Sequence, residues 1–309
     1  MRQKRVAERG EDVQGPRNYE LEAIEMGQPE LFRSVLYIPG SNSRALEKAR
    51  SLAVDAIIFD LEDAVAPSEK SNARKTLVAE LFAGGYGYRQ RIVRINGLDT
   101  EWGAEDARTL AGADCDAVLL PKVEGENDID ALTAILPNVP IWCMMETPRG
   151  CLNALEIADC NAVQGFVLGT NDLAKDIGCA TGGDRMPMMT GIQMCVMAAR
   201  TAQIACVDGV YNAFKDDDGL RKECEQGRAL GLDGKTLIHP AQIDTANRVF
   251  APTDDQISLS ERQIEAYNAA IARGEAVAVV DGKIVEGLHV ETARAVLAKA
   301  MAIHKREAS

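Results

Sequence analysis

Polar residues able to do chemistry recur in this chain at the ends of short apolar runs. AIIFDLED (Ala56–Asp63) ends in Asp60, Glu62 and Asp63, RIVRING (Arg91–Gly97) carries Arg94 and Asn96, and AVLLPKV (Ala117–Val123) carries Lys122. IWCMMETP (Ile141–Pro148) ends in Glu146 and Thr147, and GFVLGTND (Gly165–Asp172) in Thr170, Asn171 and Asp172. GVYNAF (Gly209–Phe214) offers Asn212, and GKTLIHP (Gly234–Pro240) offers His239. A cluster such as Asp60, Glu62 and Asp63 is costly unless a cation, a cationic ligand or solvent compensates it. Carboxylates without His or Cys partners suit a hard divalent cation, and Mg²⁺ takes one or two carboxylates plus substrate oxygens and water. Glu146 and Asp172 end neighbouring runs, so both are within reach of one ion; each taken alone also reads as a solvated strand-end carboxylate. Arg94 follows an apolar pair, where an unpaired guanidinium is expensive, and so meets an anion: a substrate group or the Asp60–Asp63 cluster. Lys122 has the same two readings. His239 reads equally as a structural hydrogen-bonding residue or a catalytic one. No GxSxG, HExxH or P-loop pattern occurs.

The elements that must position these residues follow from the rhythm of the runs. With SVLYIPG (Ser34–Gly40) there are eight, most of them continuously apolar, as expected of parallel strands covered on both faces. Stretches such as SRALEKARSLA and DDGLRKECEQGRALG between them carry helical periodicity. Eight alternating units point to an α/β fold, the (β/α)₈ TIM barrel, over residues 30–250. An open doubly wound sheet is the rival, but no glycine-rich dinucleotide fingerprint follows the first strand. In such a barrel the active site lies at the C-terminal ends of the strands, where the polar residues stand. Beyond Pro240 the rhythm stops. Residues 257–273 read as a helix, AVAVVDGKIVEG (Ala276–Gly287) as a hairpin turning at Asp281-Gly282, and VETARAVLAKAMAIHKRE as a last helix. Residues 251–309 are therefore expected to form a helix–hairpin–helix lid or oligomerisation extension, and residues 1–29 an N-terminal arm.

The bulk composition excludes several classes of function. The 309 residues carry a formal net charge of −13, which argues against a nucleic-acid partner. No apolar run is long enough for a membrane span. Eight scattered cysteines without CxxC pairs fit reduced thiols in a cytoplasmic protein, and the N-terminus lacks the apolar stretch of a signal peptide.

RSVLYIPGSN, FDLEDAV, VRIN, LPKV, METP, GTNDL and LIHP occur in the order found in the citrate lyase beta-subunit-like proteins. The chain thus resembles that group of the HpcH/HpaI aldolase superfamily, which includes malyl-CoA, β-methylmalyl-CoA and citramalyl-CoA lyases. The resemblance implies a Mg²⁺-dependent carbon–carbon lyase, with Mn²⁺ as a substitute metal. Its substrate would be a 3-hydroxy-dicarboxylyl-CoA thioester, cleaved to a small 2-oxo acid and an acyl-CoA or formed from them by Claisen-type condensation. It implies Glu146 and Asp172 as metal ligands, Arg94 on the substrate oxygens, and Glu62 and Asp63 around the metal's waters. Arg33 is expected to contact the CoA or acid end, with Lys122, Thr170 and Asn171 also on substrate. The lid of these lyases reads like GKMVD or GKMID and often reaches a neighbouring subunit; here DGKIVEG places Glu286 where Asp is usual, as the expected acid/base group. A homo-trimer or homo-hexamer is expected. The alternatives are a citrate lyase beta subunit acting on an acyl-carrier-protein thioester, and a malyl-CoA thioesterase.

Overall fold

The computed structural model describes residues 29–180 and 183–308; apart from Pro29, the arm read over 1–29 lies outside them. Contacts divide the chain into Leu31–Ala251 and a unit that contains Pro252–Ser309. The first is a closed barrel of eight parallel strands in sequence order, β1 through β8, with β8 pairing back to β1. The strands are β1 (Ser34–Pro39), β2 (Ala56–Asp60), β3 (Gln90–Arg94), β4 (Ala117–Leu120), β5 (Ile141–Met145), β6 (Val163–Leu168), β7 (Ala205–Asp208) and β8 (Gly234–Leu237). Helices α1 (Ser43–Ala49), α2 (Lys70–Ala83), α3 (Gly103–Thr109), α4 (Glu126–Ile135), α5 (Pro148–Leu152), α6 (Ala154–Ala158), α7 (Thr170–Ile177), α8 (Met189–Ala202), α9 (Asp217–Ala229) and α10 (Ile243–Phe250) lie between and after them.

The strand period of two builds both the core and the site. Along β2, Ile57 and Phe59 pack with the helix-side core, whereas Ala56 and Ile58 join Val35, Ile92, Leu119, Trp142, Met144, Val167 and Val207 inside the barrel. Continuing that inner face by two residues reaches Asp60 on β2, Arg94 on β3 and Glu146 after β5. The same alternation that fills the barrel with apolar side chains therefore ends, at the C-terminal mouth, on ionisable ones. Register pairs Asp60 directly with Arg94.

The seventh strand is a correction. It is ACVD (Ala205–Asp208), and the GVYNAF segment read as a strand is the loop that follows. Phe166 and Val167 pair with Cys206 and Val207, and Gly209 N–H donates to Asp208 Oδ1 where the chain leaves the sheet. The apolar part of the strand is only Ala205-Cys206-Val207, and it ends in Asp208, with which Arg185 and Lys235 pair in the interior.

In the second unit, α11 (Asp254–Ala272) and α12 (Gly287–Glu307) flank an antiparallel hairpin of β9 (Ala278–Val280) and β10 (Lys283–Val285). Asp281 (φ 50°) and Gly282 (φ 75°) make its two-residue turn, the left-handed pair that a tight hairpin requires. Thr253 opens α11 with a capping box: its Oγ1 accepts from Gln256 N–H and its own N–H donates to Gln256 Oε1. Ile264, Ala270, Ala278, Val285, Val290, Ala293 and Leu297 form the small core. Among the described residues no helix is long and apolar enough to cross a membrane.

Candidate active site

A cavity of about 310 Å³ opens at the C-terminal mouth of the barrel, lined among others by Tyr37, Asp60, Asp63, Arg94, Glu146 and Asp172. One wall is the acidic turn after β2. Arg94 Nε donates to Asp60 Oδ1 at 2.8 Å and its Nη2 to Asp60 Oδ2 at 2.6 Å, a bidentate fork with Asp60 only 1% exposed. Arg94 Nη1 reaches Glu62 at 2.8 Å and the exposed Asp63 at 3.4 Å. Of the two partners the sequence left open for Arg94, the acidic cluster is therefore one it does meet. The repulsion among the acids is compensated by a cation already in the chain. Asp60 also accepts from the backbone N–H groups of Glu62 and Ala64, which closes the turn.

Burial pushes the Glu62 carboxyl up to about 8; Arg94 opposes the rise, and Asp63, Glu146 and Asp60 add to it. Burial works against the Arg94 guanidinium, but the acidic neighbours Asp60 and Glu62 outweigh it and hold the group charged. Tyr37, whose ring lies 4.9 Å from the guanidinium and whose hydroxyl donates to Met144 Sδ at 3.4 Å, was hidden in the sequence as one more member of an apolar run. Burial raises its phenol. Counting two residues on from Val35 along β1 is the signal that would have placed it on the inner face.

Across the mouth stand Glu146 and Asp172. Glu146 is 2% exposed, and burial raises its carboxyl against the pull of Lys122. Its Oε1 accepts the Lys122 backbone N–H at 2.9 Å. Lys122 holds a left-handed backbone (φ 52°), a conformation that costs a non-glycine residue on the order of 1–3 kcal/mol and persists where surrounding structure demands it. Its ammonium lies 3.2 Å from Asp172 Oδ1 and 3.9 Å from Glu146 Oε1, so the two carboxylates converge on one cationic position. Burial lowers the Lys122 ammonium, but Glu146 and Asp172 outweigh it and raise it. Asp172 sits in the first turn of α7, not on the strand. Gly169 makes the approach possible: a Cβ there would lie 2.3 Å from Glu146 Cβ and 2.5 Å from its Oε2.

This pair suits a divalent cation. The donors are hard oxygens, a positive group already bridges them, and among the described residues no three His, Cys, Asp or Glu side chains form a complete cage. Two carboxylates with the remaining positions left to water and substrate oxygens is the Mg²⁺ pattern. Thr170 is buried at the start of α7, and Asn171 exchanges amide hydrogen bonds with Asn212 at 3.0 and 3.4 Å; all three line the cavity.

One sequence expectation changes. Arg33 immediately precedes β1, about 20 Å of extended chain from the mouth at roughly 3.3 Å per residue. There it forks onto Asp55, with Nε at 2.9 Å and Nη2 at 3.0 Å, both residues buried. It is a structural ion pair of the barrel floor, and the substrate contact expected of it is withdrawn. His239 caps the turn after β8, its Nδ1 accepting from Ala241 N–H, and its ring stacks on Phe214 at 4.6 Å. Glu286 is an exposed residue at the N-cap of α12, its backbone N–H donating to His289 Nδ1.

The model of the HpcH/HpaI aldolase/citrate lyase family matches residues 33–240. The chain belongs to this family. Family membership makes it an enzyme and agrees with the closed barrel. Among its relatives, a (3S)-malyl-CoA thioesterase of Cereibacter sphaeroides is 58% identical over 278 residues, covering 90% of this chain and 98% of that one. Citrate lyase subunit beta of Escherichia coli is 32% identical over 280 residues, covering 87% and 93%. Among solved structures, CitE of Mycobacterium tuberculosis in complex with magnesium, acetoacetate and coenzyme A superposes with a TM-score of 0.74 at 27% identity, covering 87% and 97%.

Proposed function

We propose that the chain is a Mg²⁺-dependent enzyme that splits a 3-hydroxy-dicarboxylyl-CoA thioester, such as malyl-CoA or citramalyl-CoA, at the mouth of the barrel. The observation that carries this is the convergence of Glu146 and Asp172 on one cationic position. Magnesium held by these two would supply a Lewis acid for the carboxylate and the hydroxyl or keto oxygen of the small acid. Arg94 holds the acidic turn beside them and lends positive charge to the cavity, where oxyanion character develops as the substrate is cleaved. In this reading Thr170, Asn171 and the Lys122 ammonium orient the acid end; that Thr170 and Asn171 line the cavity supports it. Burial keeps Tyr37 protonated and apolar Met144 and Leu168 line the same space, which limits the water around the reacting atoms.

Two outcomes follow from one bound substrate. If the hydroxyl proton leaves and the bond between the carbinol and methylene carbons breaks, malyl-CoA gives glyoxylate and acetyl-CoA; this is the lyase chemistry of the family. If water instead adds at the thioester carbonyl, the products are malate and free CoA. The relatives named malyl-CoA thioesterase, at 58% identity, favour hydrolysis as the second reading; those named for citrate lyase, on which an acyl-carrier-protein thioester would be the substrate, stand at 32%. A panel of CoA thioesters assayed with Mg²⁺, scoring glyoxylate, pyruvate, oxaloacetate, malate and free CoA separately, decides between them. Glyoxylate and acetyl-CoA in equal amounts mean carbon–carbon cleavage, and malate with no glyoxylate means hydrolysis. Absence of turnover on every hydroxyacyl thioester would overturn the reading.

Glu286 is proposed as the acid/base group, acting within its own or a neighbouring subunit of a homo-trimer or homo-hexamer. Removal of one general acid/base typically costs about 10²–10⁴ in rate, so Glu286→Gln should lower kcat by at least about 10². Turnover near that of the parent would assign the proton transfer elsewhere. All eight cysteines are free thiols, which fits a reducing compartment such as the cytoplasm.

A further inference from the structure

Lys70 is a buried cation that the chemistry above does not use. It is 6% exposed, and among the described residues no carboxylate pairs with it. It is also the first residue of α2, the positive end of a helix, where a cation is disfavoured. A buried, unpaired ammonium at that place is expensive three times over, so its contacts should account for it. They are two backbone carbonyls: Lys70 Nζ donates to Leu61 C=O at 3.0 Å and to Glu62 C=O at 2.8 Å, with the Trp102 ring 5.2 Å away.

Those carbonyls belong to the acidic turn. Every other polar backbone group from Leu61 to Glu62 is tied as well: Leu61 N–H donates to Arg94 C=O, Leu61 C=O also accepts from Asn96 Nδ2, and Glu62 N–H donates to Asp60 Oδ1. Lys70 supplies the one charged tie in this set and grips two successive peptides. We infer that Lys70 is a positioning residue, acting through the Leu61 and Glu62 carbonyls to aim the Glu62 and Asp63 carboxylates at Arg94 and toward the Glu146–Asp172 pair. The inference rests on the metal reading above for its consequence, and on the turn geometry alone for its mechanism. By holding both carbonyls at once, the Lys70 ammonium fixes where the acids stand.

The test compares Lys70→Met, which keeps the length of the side chain and removes charge and donors, with Lys70→Arg, which restores both. In Lys70→Met, amide hydrogen exchange at residues 62–65 should rise at least about tenfold while β5 and β6 stay protected. Calorimetric Mg²⁺ affinity without substrate should fall about 10–100-fold, as when a partner behind a metal ligand is lost, and Lys70→Arg should recover most of it. A fall in Tm with unchanged exchange at 62–65 and unchanged Mg²⁺ affinity overturns the inference, because a residue that only packs would behave in that way. If the parent protein binds no Mg²⁺, it is the metal reading that fails, and the local exchange result still decides the role of Lys70. Should Lys70→Met not fold, Lys70→Gln carries the same comparison.

Discussion

Glu146→Gln is expected to lower Mg²⁺ affinity and turnover by more than about 10²-fold, beyond the range seen when only a partner behind a ligand is lost, while the barrel stays folded. The substitution removes one charge and almost no volume. The remaining amide oxygen still accepts from Lys122 N–H, the bond that fixes the left-handed turn after β4. Because burial and Asp172 both disfavour the Glu146 carboxylate, a neutral group there relieves repulsion in the metal-free protein. The variant should therefore unfold at a temperature no lower than the parent, a separation of stability from activity common at functional sites. Calorimetric Mg²⁺ titration, thermal unfolding and thioester turnover measured on one preparation check all three. Affinity and turnover within twofold of the parent would mean that Glu146 is not a ligand.

Arg94→Met should destabilise the fold by about 3–5 kcal/mol, the range found when one partner of a buried pair is removed. The reason is the company Arg94 keeps. Asp60 loses both arms of its fork while remaining buried, and Glu62 loses the cation that opposes its burial. The loss depends on pH in a definite sense. Without Arg94 the folded-state pKa of Glu62, already raised by burial, rises further above its unfolded value. The folded variant then binds more protons than the unfolded chain, and its stability falls as pH rises. Because burial already holds Glu62 protonated in the parent up to about pH 8, urea midpoints of Arg94→Met should run parallel to those of the parent below that pH and diverge further above it. Asp60→Asn added to Arg94→Met should recover much of the loss, since the uncompensated charge is then gone. A midpoint shift equivalent to less than about 1 kcal/mol would place Arg94 among weak surface pairs instead.

Both results depend on positions that a linear reading reached, because strand periodicity is local. Two-residue alternation carries the interior face from Ala56 and Ile58 to Asp60, and from Trp142 and Met144 to Glu146. Where a strand is short and its end is charged, the same reading slips. β7 offers only Ala205, Cys206 and Val207 before Asp208, and the GVYNAF segment beside it is a loop. Arg33 shows a different limit. It precedes β1 and so stands at the N-terminal end of the barrel by chain direction, and the pairing with Asp55 supplies its role there.

By itself, the sequence determined the number of β/α units and the place of seven of the eight strands, the mouth at which their polar ends gather, and the candidate metal pair. These follow from periodicities of two and 3.6 residues and from the kind of donor each strand presents, all properties of neighbouring residues. Only the tertiary structure decided how the charges pair. It assigned Arg94 to Asp60 across adjacent strands, set the Lys122 ammonium between Glu146 and Asp172, and brought Lys70 back onto the turn that carries Glu62. Compensation of charge depends on distances between residues far apart in the chain and on how much water is excluded around them. Neither quantity exists before the barrel closes.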